Sequence, residues 1–399
     1  MGSSGGSTGR VTPSIVPWHH AAMVWKISGV VLLVVLLLVA LVVGAAFYFS
    51  TLLTTVTDPN AVADQQVLET DGATVTLAQD DYNRYPGRNS LLWDDGHAFL
   101  GQQLDITGTP GDNEVTYEME VTRGELTEGQ EAVWSSWYYD YGDPSDRGLE
   151  FSEVTPRSDV GDLPSWYVPG DGDTWTIVVH GINGDREEAL RILPTLAENG
   201  PVLVIRYRND IGVPTTDNLL RLGDTEWRDV EAAMQWARGE GAEEFVIYGF
   251  SYGGAVALQA QDRVEGREDI VGLVLDSAVI SWTDTLARQT ALRGIPVAFS
   301  SLVDFITELR LGIDMADFDW LARADELDVP ILLLYGVDDT FVPPEDSEQL
   351  AAERPDIATA EGFDGAQHVR PWNVEPERYE ALVDEFLASV GAGAPASTG

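Results

Sequence analysis

Three patterns of apolar and polar residues divide this chain. An uncharged and almost wholly apolar run extends from Ile27 to Phe47. It is followed by short segments in which apolar and polar residues alternate, such as 73–77 and 115–121. From about Gly148 onward, continuous apolar runs alternate with helical patterns. Alternation predicts half-buried strands, whereas apolar runs separated by helices predict a parallel sheet covered on both faces.

The first apolar run predicts a membrane-spanning helix at 27–49. Its 21 residues from Ile27 to Phe47 would form a helix about 31 Å long, which matches the hydrocarbon core of a bilayer. Aromatic residues flank both ends, as is typical of membrane interfaces. A buried core helix is disfavoured because the run has no polar face. A cleaved signal peptide is the stronger alternative, since small residues occur at 44–46, but its apolar region usually spans only about 7–15 residues.

Charges around this run predict its orientation. Arg10 and Lys26 precede it, and the first charged residue after it is Asp58. The positive-inside rule therefore places residues 1–26 in the cytoplasm as a tail and the bulk of the chain outside. We expect a single-pass protein of the cell membrane.

The alternating segments predict a small β-rich module at 58–147. Turn signals occur at 109–112, between two of the predicted strands. Its aromatic residues favour a packed β core over a ligand-binding platform; they are Trp134, Trp137, Tyr138, Tyr139 and Tyr141. We expect no chemistry from this module, and His97 within it is interpreted as structural.

Residues 148–390 predict one α/β domain, followed by a disordered tail at 391–399. Strands are expected at 151–154, 163–168, 176–180, 202–207, 245–248, 271–275, 331–335 and 357–360. Helices are expected near 186–198, at 225–238 with Asp224 as N-cap, and at 375–387. Ligands of such a sheet bind beyond the carboxyl ends of its strands.

Composition excludes some classes of function. The net charge of the chain is −43, and all 66 acidic residues lie after position 57. Such a surface repels nucleic acid and anionic lipid headgroups, so no nucleic-acid partner is expected. The chain has no cysteine, which excludes thiol chemistry and disulfides. Its five histidines form no cluster with metal-ligand spacing, so neither a metal nor another cofactor is expected.

The strongest chemical signal is the segment 244–260, EFVIYGFSYGGAVALQA. An apolar strand leads to Gly249-Phe250-Ser251-Tyr252-Gly253, and a run suited to a helix follows. This is the G-x-S-x-G pattern of a serine nucleophile at a strained strand-to-helix turn. The polar N-terminal segment 2–6 matches the same pattern, but no strand precedes it. We therefore predict that Ser251 is the nucleophile.

A nucleophilic serine needs a base and an acid that orients the base. Elimination selects His368: His19 and His20 precede the membrane segment, His97 lies in the β-rich module, and His180 ends a strand. The acid is expected in the loop after the strand that ends at Tyr335, where Asp338 and Asp339 are the candidates. A turn aspartate or a surface histidine is the structural alternative for each residue taken singly.

These residues, taken together, resemble the α/β-hydrolase superfamily over 148–387. The resemblance extends to its membrane-anchored members and, more distantly, to serine hydrolases of the prolyl-oligopeptidase type; YRND at 207–210 and TEWRDVEAA at 225–233 look like a lineage of serine hydrolases of unassigned substrate. It implies the triad Ser251, Asp339 and His368, since the family's spacing from glycine to acid to proline favours Asp339. It also implies an oxyanion hole formed by the backbone N–H groups of Ile182 and Tyr252.

The expected fold class is therefore α/β: an α/β-hydrolase domain with a mostly parallel sheet and a small helical cap at 283–329. The resemblance suggests the cap. Its apolar residues recur at helical spacing; they are Ile295, Phe299, Leu302, Phe305, Ile306 and Leu309. They would either pack on the domain's own core or line an acyl pocket over Ser251.

The expected function is hydrolysis of a carboxylic ester or thioester through an acyl-enzyme, with a small-molecule or lipid-like acyl substrate. A serine peptidase of the prolyl-oligopeptidase type is the second hypothesis. The third is a non-enzymatic scaffold or adhesion protein that uses the fold alone.

Overall fold

The computed structural model describes residues 18–57, 63–80, 83–107, 113–139 and 142–392. Helix α1, Trp18–Thr54, contains the predicted membrane segment. Its stretch Val30–Thr54 is long and apolar enough to cross a membrane, and a signal sequence would have the same properties. The helix begins within the segment interpreted as a tail, since neither proline nor glycine interrupts 18–26. The turn expected at 109–112 lies outside the described residues, as does most of the expected C-terminal tail.

The predicted β-rich module is a closed barrel of six antiparallel strands. Its strands are β1 Gln65–Thr70, β2 Thr74–Ala78, β3 Asn89–Trp93, β4 Gly96–Thr107, β5 Glu114–Arg123 and β6 Glu131–Ser135. Around the barrel they follow the order β1, β2, β5, β4, β3, β6. Alternate side chains fill the interior, among them Val75, Leu100 and Tyr117, which are fully buried.

An eight-stranded mixed sheet forms the centre of the second domain. Its strands are β7 Ser152–Val154, β10 Ser165–Val168, β11 Thr174–Val179, β12 Val202–Ile205, β13 Glu244–Phe250, β14 Ile270–Asp276, β15 Ile331–Gly336 and β16 Ala358–Phe363. The strands β8 Arg157–Ser158 and β9 Gly161–Asp162 pair with each other. The sheet order is β16, β15, β14, β13, β11, β12, β10, β7. The six strands from β16 to β12 are parallel. Strand β10 pairs antiparallel with both β12 and β7, so it alone in this sheet runs in the opposite direction, which confirms the mostly parallel sheet.

Helices cover both faces of this sheet. They are α2 Leu193–Glu198, α3 Trp227–Glu240, α4 Tyr252–Arg263, α5 Trp282–Leu292, α6 Ala298–Leu311, α7 Pro344–Glu353, α8 Pro371–Val374 and α9 Pro376–Ser389. Helices α3, α4 and α7 pack on one face, and α2, α8 and α9 pack on the other. Neighbouring strand residues such as Ile177 and Val178 point to opposite faces, and both are fully buried, which explains the unbroken apolar runs.

Two local predictions are wrong. Asp224 is not the N-cap of α3, because the helix begins at Trp227 after Glu226, which makes no side-chain capping bond. Asp224 instead pairs with Arg263 at 2.9 Å. The helix expected near 186–198 is a 3₁₀ turn, 186–191, followed by the short helix α2. The proline at position 194 lies in the first turn of α2, where its missing N–H costs nothing.

Helices α5 and α6 form a hairpin in the insertion between β14 and β15. The apolar residues expected either to pack on the domain's own core or to line an acyl pocket have a different partner. Phe299, Leu302 and Ile306 pack against Ala46 and Phe49 of α1. Two other members of the set, Phe305 and Leu309, are exposed. Neither alternative derived from the sequence anticipated that α1 would be the partner of α6.

The end of α1 is also bonded to the second domain. Leu220 donates its N–H to the carbonyl of Thr54, at 3.0 Å. Thr55 forms a β-bridge with Leu219. The N–H of Thr57 donates to Oδ1 of Asn183, at 2.8 Å. This helix therefore continues into the domain without a free linker between 54 and 57.

The barrel docks on α8. Asn373 accepts a backbone hydrogen bond of 2.8 Å from Arg88, and its amide donates to the carbonyls of Arg88 and Ser136. Tyr138 and Tyr139 lie against Trp372, with ring centroids 5.7 and 6.0 Å apart. The segment that follows β6 is consequently held at the edge of the second domain.

Candidate active site

Ser251 lies at the turn between β13 and α4. Its backbone has φ 49° and ψ −111°, a strained conformation for a residue with a Cβ. The turn is tight enough that a Cβ on Gly249 would lie 2.5 Å from the carbonyl oxygen of Gly253. A Cβ on Gly253 would clash with the carbonyl of Val179 on the neighbouring strand. The two glycines of the pattern are therefore required by the close approach of three backbone segments.

The three side chains predicted to act together form one hydrogen-bonded chain. Ser251 Oγ lies 2.8 Å from His368 Nε2, and His368 Nδ1 lies 2.8 Å from Asp339 Oδ2. Asp339 is almost fully buried, and its other oxygen accepts the N–H groups of Phe341 and Val342 at 2.6 and 3.0 Å. These bonds satisfy a buried carboxylate and fix its direction towards the imidazole.

The neighbouring aspartate has a different set of contacts. Asp338 accepts the N–H of Gly365 at 3.0 Å, and its backbone carbonyl accepts the amide of Gln367. Its own N–H donates to the carbonyl of Ala366, at 3.1 Å. Asp338 therefore fastens the loop that carries His368, whereas Asp339 contacts the ring itself.

The loop after β11 carries Ile182, and its backbone is held from behind. The carbonyl of Gly181 accepts hydrogen bonds from Nδ1 of His180 at 2.9 Å and from the hydroxyl of Tyr207 at 3.0 Å. Because a trans peptide is planar, fixing this carbonyl turns the N–H of Ile182 in the opposite direction. The N–H of Gly181 donates to the buried carboxylate of Glu188 at 2.6 Å. The peptide implied as an oxyanion donor thus has little freedom to rotate.

The second implied donor, Tyr252, is the first residue of α4. Its N–H belongs to the helix N-terminus, where the helix dipole favours negative charge. Its side chain is buried away from the turn: the ring stacks near Tyr207, and the hydroxyl accepts the N–H of Gly223 at 3.3 Å. The side chain anchors the start of the helix, so that only the backbone of Tyr252 is available for an oxyanion.

A model of the alpha/beta hydrolase family matches residues 168–385, more than half of the chain. The chain belongs to this family. A second family model, described as a domain of unknown function (DUF8805), matches residues 66–135, which form the barrel. None of the curated proteins compared with the chain matches it.

Solved structures of esterases share the fold of this hydrolase. An esterase from Pyrococcus furiosus is 25% identical, with a TM-score of 0.50 over 63% of this chain and 97% of its own. A thermophilic esterase from Thermogutta terrifontis, with malate bound, is 19% identical over 60% of this chain and 99% of its own, with a TM-score of 0.45. The alignment with the Pyrococcus furiosus esterase leaves more than a third of this chain uncovered.

A cavity of about 160 Å³ lies in front of Ser251 and His368. The loop residues Gly181 and Ile182 line one part of it, and Glu188 lies among the lining residues. Ser136 and Trp137, which follow β6 of the barrel, line another part. The expectation that the module contributes no chemistry is therefore incomplete: Trp134 packs in the barrel core as expected, but Trp137 borders the site.

A second cavity of about 220 Å³ adjoins the first, and the two share Trp137 and Gly184. Its lining is more polar than that of an acyl pocket and includes Asn183, Asn209 and Arg206. Arg206 is paired with Asp185 across this cavity. Val56 and Thr57, just after α1, complete the wall.

His180 is a buried residue whose contacts with the loop after β11 were not predicted from the sequence. Its Nε2 lies 2.9 Å from Asp210 Oδ2, and its ring stacks on Tyr207 with centroids 4.4 Å apart. Both ring nitrogens therefore face acceptors, an arrangement that suits the doubly protonated imidazolium. Burial lowers the pKa of His180, but the charge of Asp210 and the hydrogen bond to it outweigh this effect and raise the pKa to about 9. The His-Gly pair at the end of a strand was the available sequence signal.

A further buried group supports the loop that carries His368. The N–H of Val369 donates to Oγ of Ser277 at 3.0 Å, and Ser277 donates to Asp276 at 3.0 Å. Tyr379 donates to the other oxygen of Asp276 at 2.7 Å. Burial raises the pKa of Asp276 to about 6, although the charge of Arg191 and these hydrogen bonds oppose the effect. The position of the imidazole thus depends on bonds from β14 and α9 as well as on Asp339.

Proposed function

We propose that this α/β hydrolase is a membrane-anchored serine esterase that cleaves a carboxylic ester or thioester through an acyl-enzyme. The observation that carries the proposal is the unbroken chain of two 2.8 Å hydrogen bonds from Ser251 through His368 to Asp339. It is supported by the fold, which is shared with esterases.

In the proposed mechanism, Ser251 Oγ attacks the acyl carbonyl carbon while its proton passes to His368 Nε2. Asp339 stabilises the resulting imidazolium through Nδ1. The N–H groups of Ile182 and Tyr252 donate to the oxyanion. When the tetrahedral intermediate collapses, His368 returns the proton to the leaving alcohol or thiol. A water molecule, deprotonated by the same imidazole, then attacks the acyl-enzyme and releases the acid and free Ser251.

The two adjoining cavities support a proposal for the substrate class. The peptide of Ile182 lines the cavity in front of Ser251. An ester whose carbonyl oxygen faces this peptide would have its acyl group on one side of the carbonyl and its leaving group on the other.

The neighbouring cavity, which Trp137 borders, is polar, and its lining includes the ion pair of Arg206 with Asp185. Both carboxylates of this lining are already paired, Asp185 with Arg206 and Asp210 with His180, so the cavity suits a polar, uncharged leaving alcohol better than an anionic one. We therefore propose small or lipid-like acyl esters of such alcohols.

A fluorophosphonate probe tests the proposal, because it reacts with an activated serine and with little else. The full-length protein should become labelled, and Ser251→Ala should remain unlabelled and inactive with an unchanged circular dichroism spectrum. Ser389→Ala, at an exposed position on α9, is the matched control and should behave as the wild type. An unlabelled wild-type protein would support the scaffold hypothesis, and cleavage of peptides but not of esters would support the peptidase hypothesis.

We further propose that α1 is an uncleaved anchor, with the N-terminus in the cytoplasm and the hydrolase domain outside. The distribution of Arg10 and Lys26 before the apolar run supports this orientation. Protease added to intact cells should digest the hydrolase domain. Digestion only after lysis would show that the hydrolase domain lies in the cytoplasm. A mature chain that lacks α1 would identify a signal peptide.

A further inference from the structure

The α5–α6 hairpin meets α1 at the end of the apolar run. Phe299 stacks edge-on against Phe49 with ring centroids 5.8 Å apart, and Val303 and Ile306 pack on Ala46. Thr307 donates to Oγ of Ser50 at 2.9 Å. Contacts from Phe299 to Arg310 therefore hold α6 against residues 46–54 of α1, a stretch only about 12 Å long. If the preceding residues of α1 lie in a bilayer, α6 lies at the bilayer surface.

Four apolar residues of this hairpin are exposed. Phe305 and Leu309 on α6 are 59% and 75% exposed. Leu292 and Val297, at the end of α5 and in the connecting loop, are 56% and 54% exposed. These four residues are called here the hairpin face.

The hairpin face continues the apolar surface of α1. At about 100° per residue, Leu309 lies next to Leu302 and Phe305 lies one step beyond, so both flank the side of α6 that borders α1. Tyr48 and Leu52 of α1, at the same level as the contact, are 60% and 54% exposed. An apolar face that lies beside a helix inserted in a bilayer contacts the same lipids as that helix. Lipid is therefore expected to cover the hairpin face.

The charge of the hairpin differs from that of the rest of the protein. Residues 282–311 contain three acidic and three basic residues, in a chain whose net charge is −43. The acidic residues are Asp284, Asp304 and Glu308, and the basic residues are Arg288, Arg293 and Arg310. A segment without net charge approaches a lipid surface without the repulsion that the remainder of the surface would meet. The acidic remainder disfavours anionic headgroups, so the lipid is zwitterionic or uncharged.

We infer that the hairpin face rests in the interfacial layer of a zwitterionic or uncharged bilayer, beside the point where α1 leaves it. This inference rests on the proposed insertion of α1 in a membrane but not on the proposed hydrolysis. It assigns the hairpin a second membrane contact, of the kind made by amphipathic helices that lie in the plane of a membrane.

The inner side of the hairpin touches the candidate active site. Arg288 donates to the carbonyl of Asp339 at 2.6 Å. Gln289 donates to the carbonyls of Thr340 and Phe341, each at 2.8 Å. Helix α5 thus connects the membrane contact to the loop that carries the acid of the triad. A bilayer that stabilises the hairpin therefore also stabilises this loop.

The absence of cysteine makes the inference directly testable. Full-length Phe305→Cys and Leu309→Cys, each labelled with an environment-sensitive fluorophore, are reconstituted in phosphatidylcholine vesicles that contain nitroxide-labelled lipid. Leu104→Cys and Ile106→Cys on the barrel, 48% and 47% exposed, are matched controls. Leu37→Cys in α1 is the positive control. Labels at 305 and 309 should lose about half or more of their fluorescence, as an interfacial position requires, while labels at 104 and 106 lose little.

Two outcomes overturn the inference. Labels at 305 and 309 that are quenched no more than those at 104 and 106, while the label at 37 is quenched, would place the hairpin face in water. Labels shielded equally in detergent and in vesicles, together with disulfide crosslinks between copies of the same variants left unlabelled and treated with an oxidant, would make a second copy of the chain the occupant. Because the readout is fluorescence, it stands even if the protein proves not to hydrolyse esters.

An activity assay separates the two proposals. The double variant Phe305→Ser/Leu309→Ser should hydrolyse a water-soluble ester at the wild-type rate and lose about tenfold in rate on an ester carried in vesicles. Both positions are exposed, so the fold should be unaffected. An equal loss on both substrates would mean that the hairpin acts on the site by itself and not through lipid.

Discussion

Arg288 on α5 donates a hydrogen bond of 2.6 Å to the backbone carbonyl of Asp339. The α5–α6 hairpin is thereby bonded to the loop that bears the proposed catalytic acid. The Arg288 guanidinium also approaches Glu345 on α7, at 3.5 Å. We predict that Arg288→Ala lowers kcat about three- to tenfold, since one charge-assisted bond that positions the loop is lost. Arg288→Lys should recover part of the rate. A fall in Tm in place of the fall in kcat would show that the bond only stabilises the fold.

The two adjacent aspartates provide a second test. Asp339→Asn should lower kcat by orders of magnitude, because an amide facing Nδ1 favours the wrong imidazole tautomer. Asp338→Asn should cost about tenfold or less, because this side chain holds the N–H of Gly365 and does not touch the imidazole. Steady-state kinetics on one activated ester measure both variants. The reverse ranking would transfer the acid role to Asp338.

A pH profile tests the role of His180. Its pKa is raised from 6.5 to about 9 in the folded protein, so the stability it contributes is fully present below pH 6.5 and is lost as the pH rises through 9. We predict that Tm falls over this window and that His180→Gln flattens this part of the profile. Because Nδ1 also holds the carbonyl of Gly181, kcat should fall in the variant more than KM rises. An unchanged kcat in the variant would show that His180 does not position the peptide of Ile182.

Trp137 is predicted to determine specificity for the leaving group. Trp137→Ala should raise KM about tenfold for esters with bulky leaving groups and change kcat little, because contact with a distal part of the substrate is made equally in ground and transition states. Esters with a methanol leaving group should be affected much less. The matched control is Trp227→Ala, which replaces a half-buried tryptophan outside both cavities. Equal effects of Trp137→Ala on all esters would indicate a general disturbance of the site.

The sequence predicted those parts of the structure that depend on local chemistry. The parallel sheet follows from apolar runs, and the strained turn at Ser251 follows from glycines that admit close backbone contacts. His368 could be selected by elimination because only five histidines occur. The structure brings it within hydrogen-bonding distance of Ser251, although its catalytic role stays a prediction.

The parts that were missed depend on contacts between distant segments. Trp137 is one of several aromatic residues in a β-rich segment, and nothing local distinguishes it from Trp134, which fills the barrel. Similarly, the helical spacing in α6 shows that one side is buried but not which element buries it. The partner, Phe49, lies 250 residues earlier in the chain than Phe299.

The bonds between the end of α1 and the hydrolase domain have a geometrical consequence. Leu220 donates a hydrogen bond to the carbonyl of Thr54, and Asn183 accepts one from the N–H of Thr57. The connection between α1 and the hydrolase domain is therefore rigid. A domain that is joined to its membrane anchor by a flexible linker samples many orientations and many distances from the bilayer. If α1 spans a bilayer as proposed, the hydrolase domain keeps a fixed distance from it and rotates only about the membrane normal. Ser251 would then stay at one height above the bilayer, and lateral diffusion would be the means by which it meets new substrate.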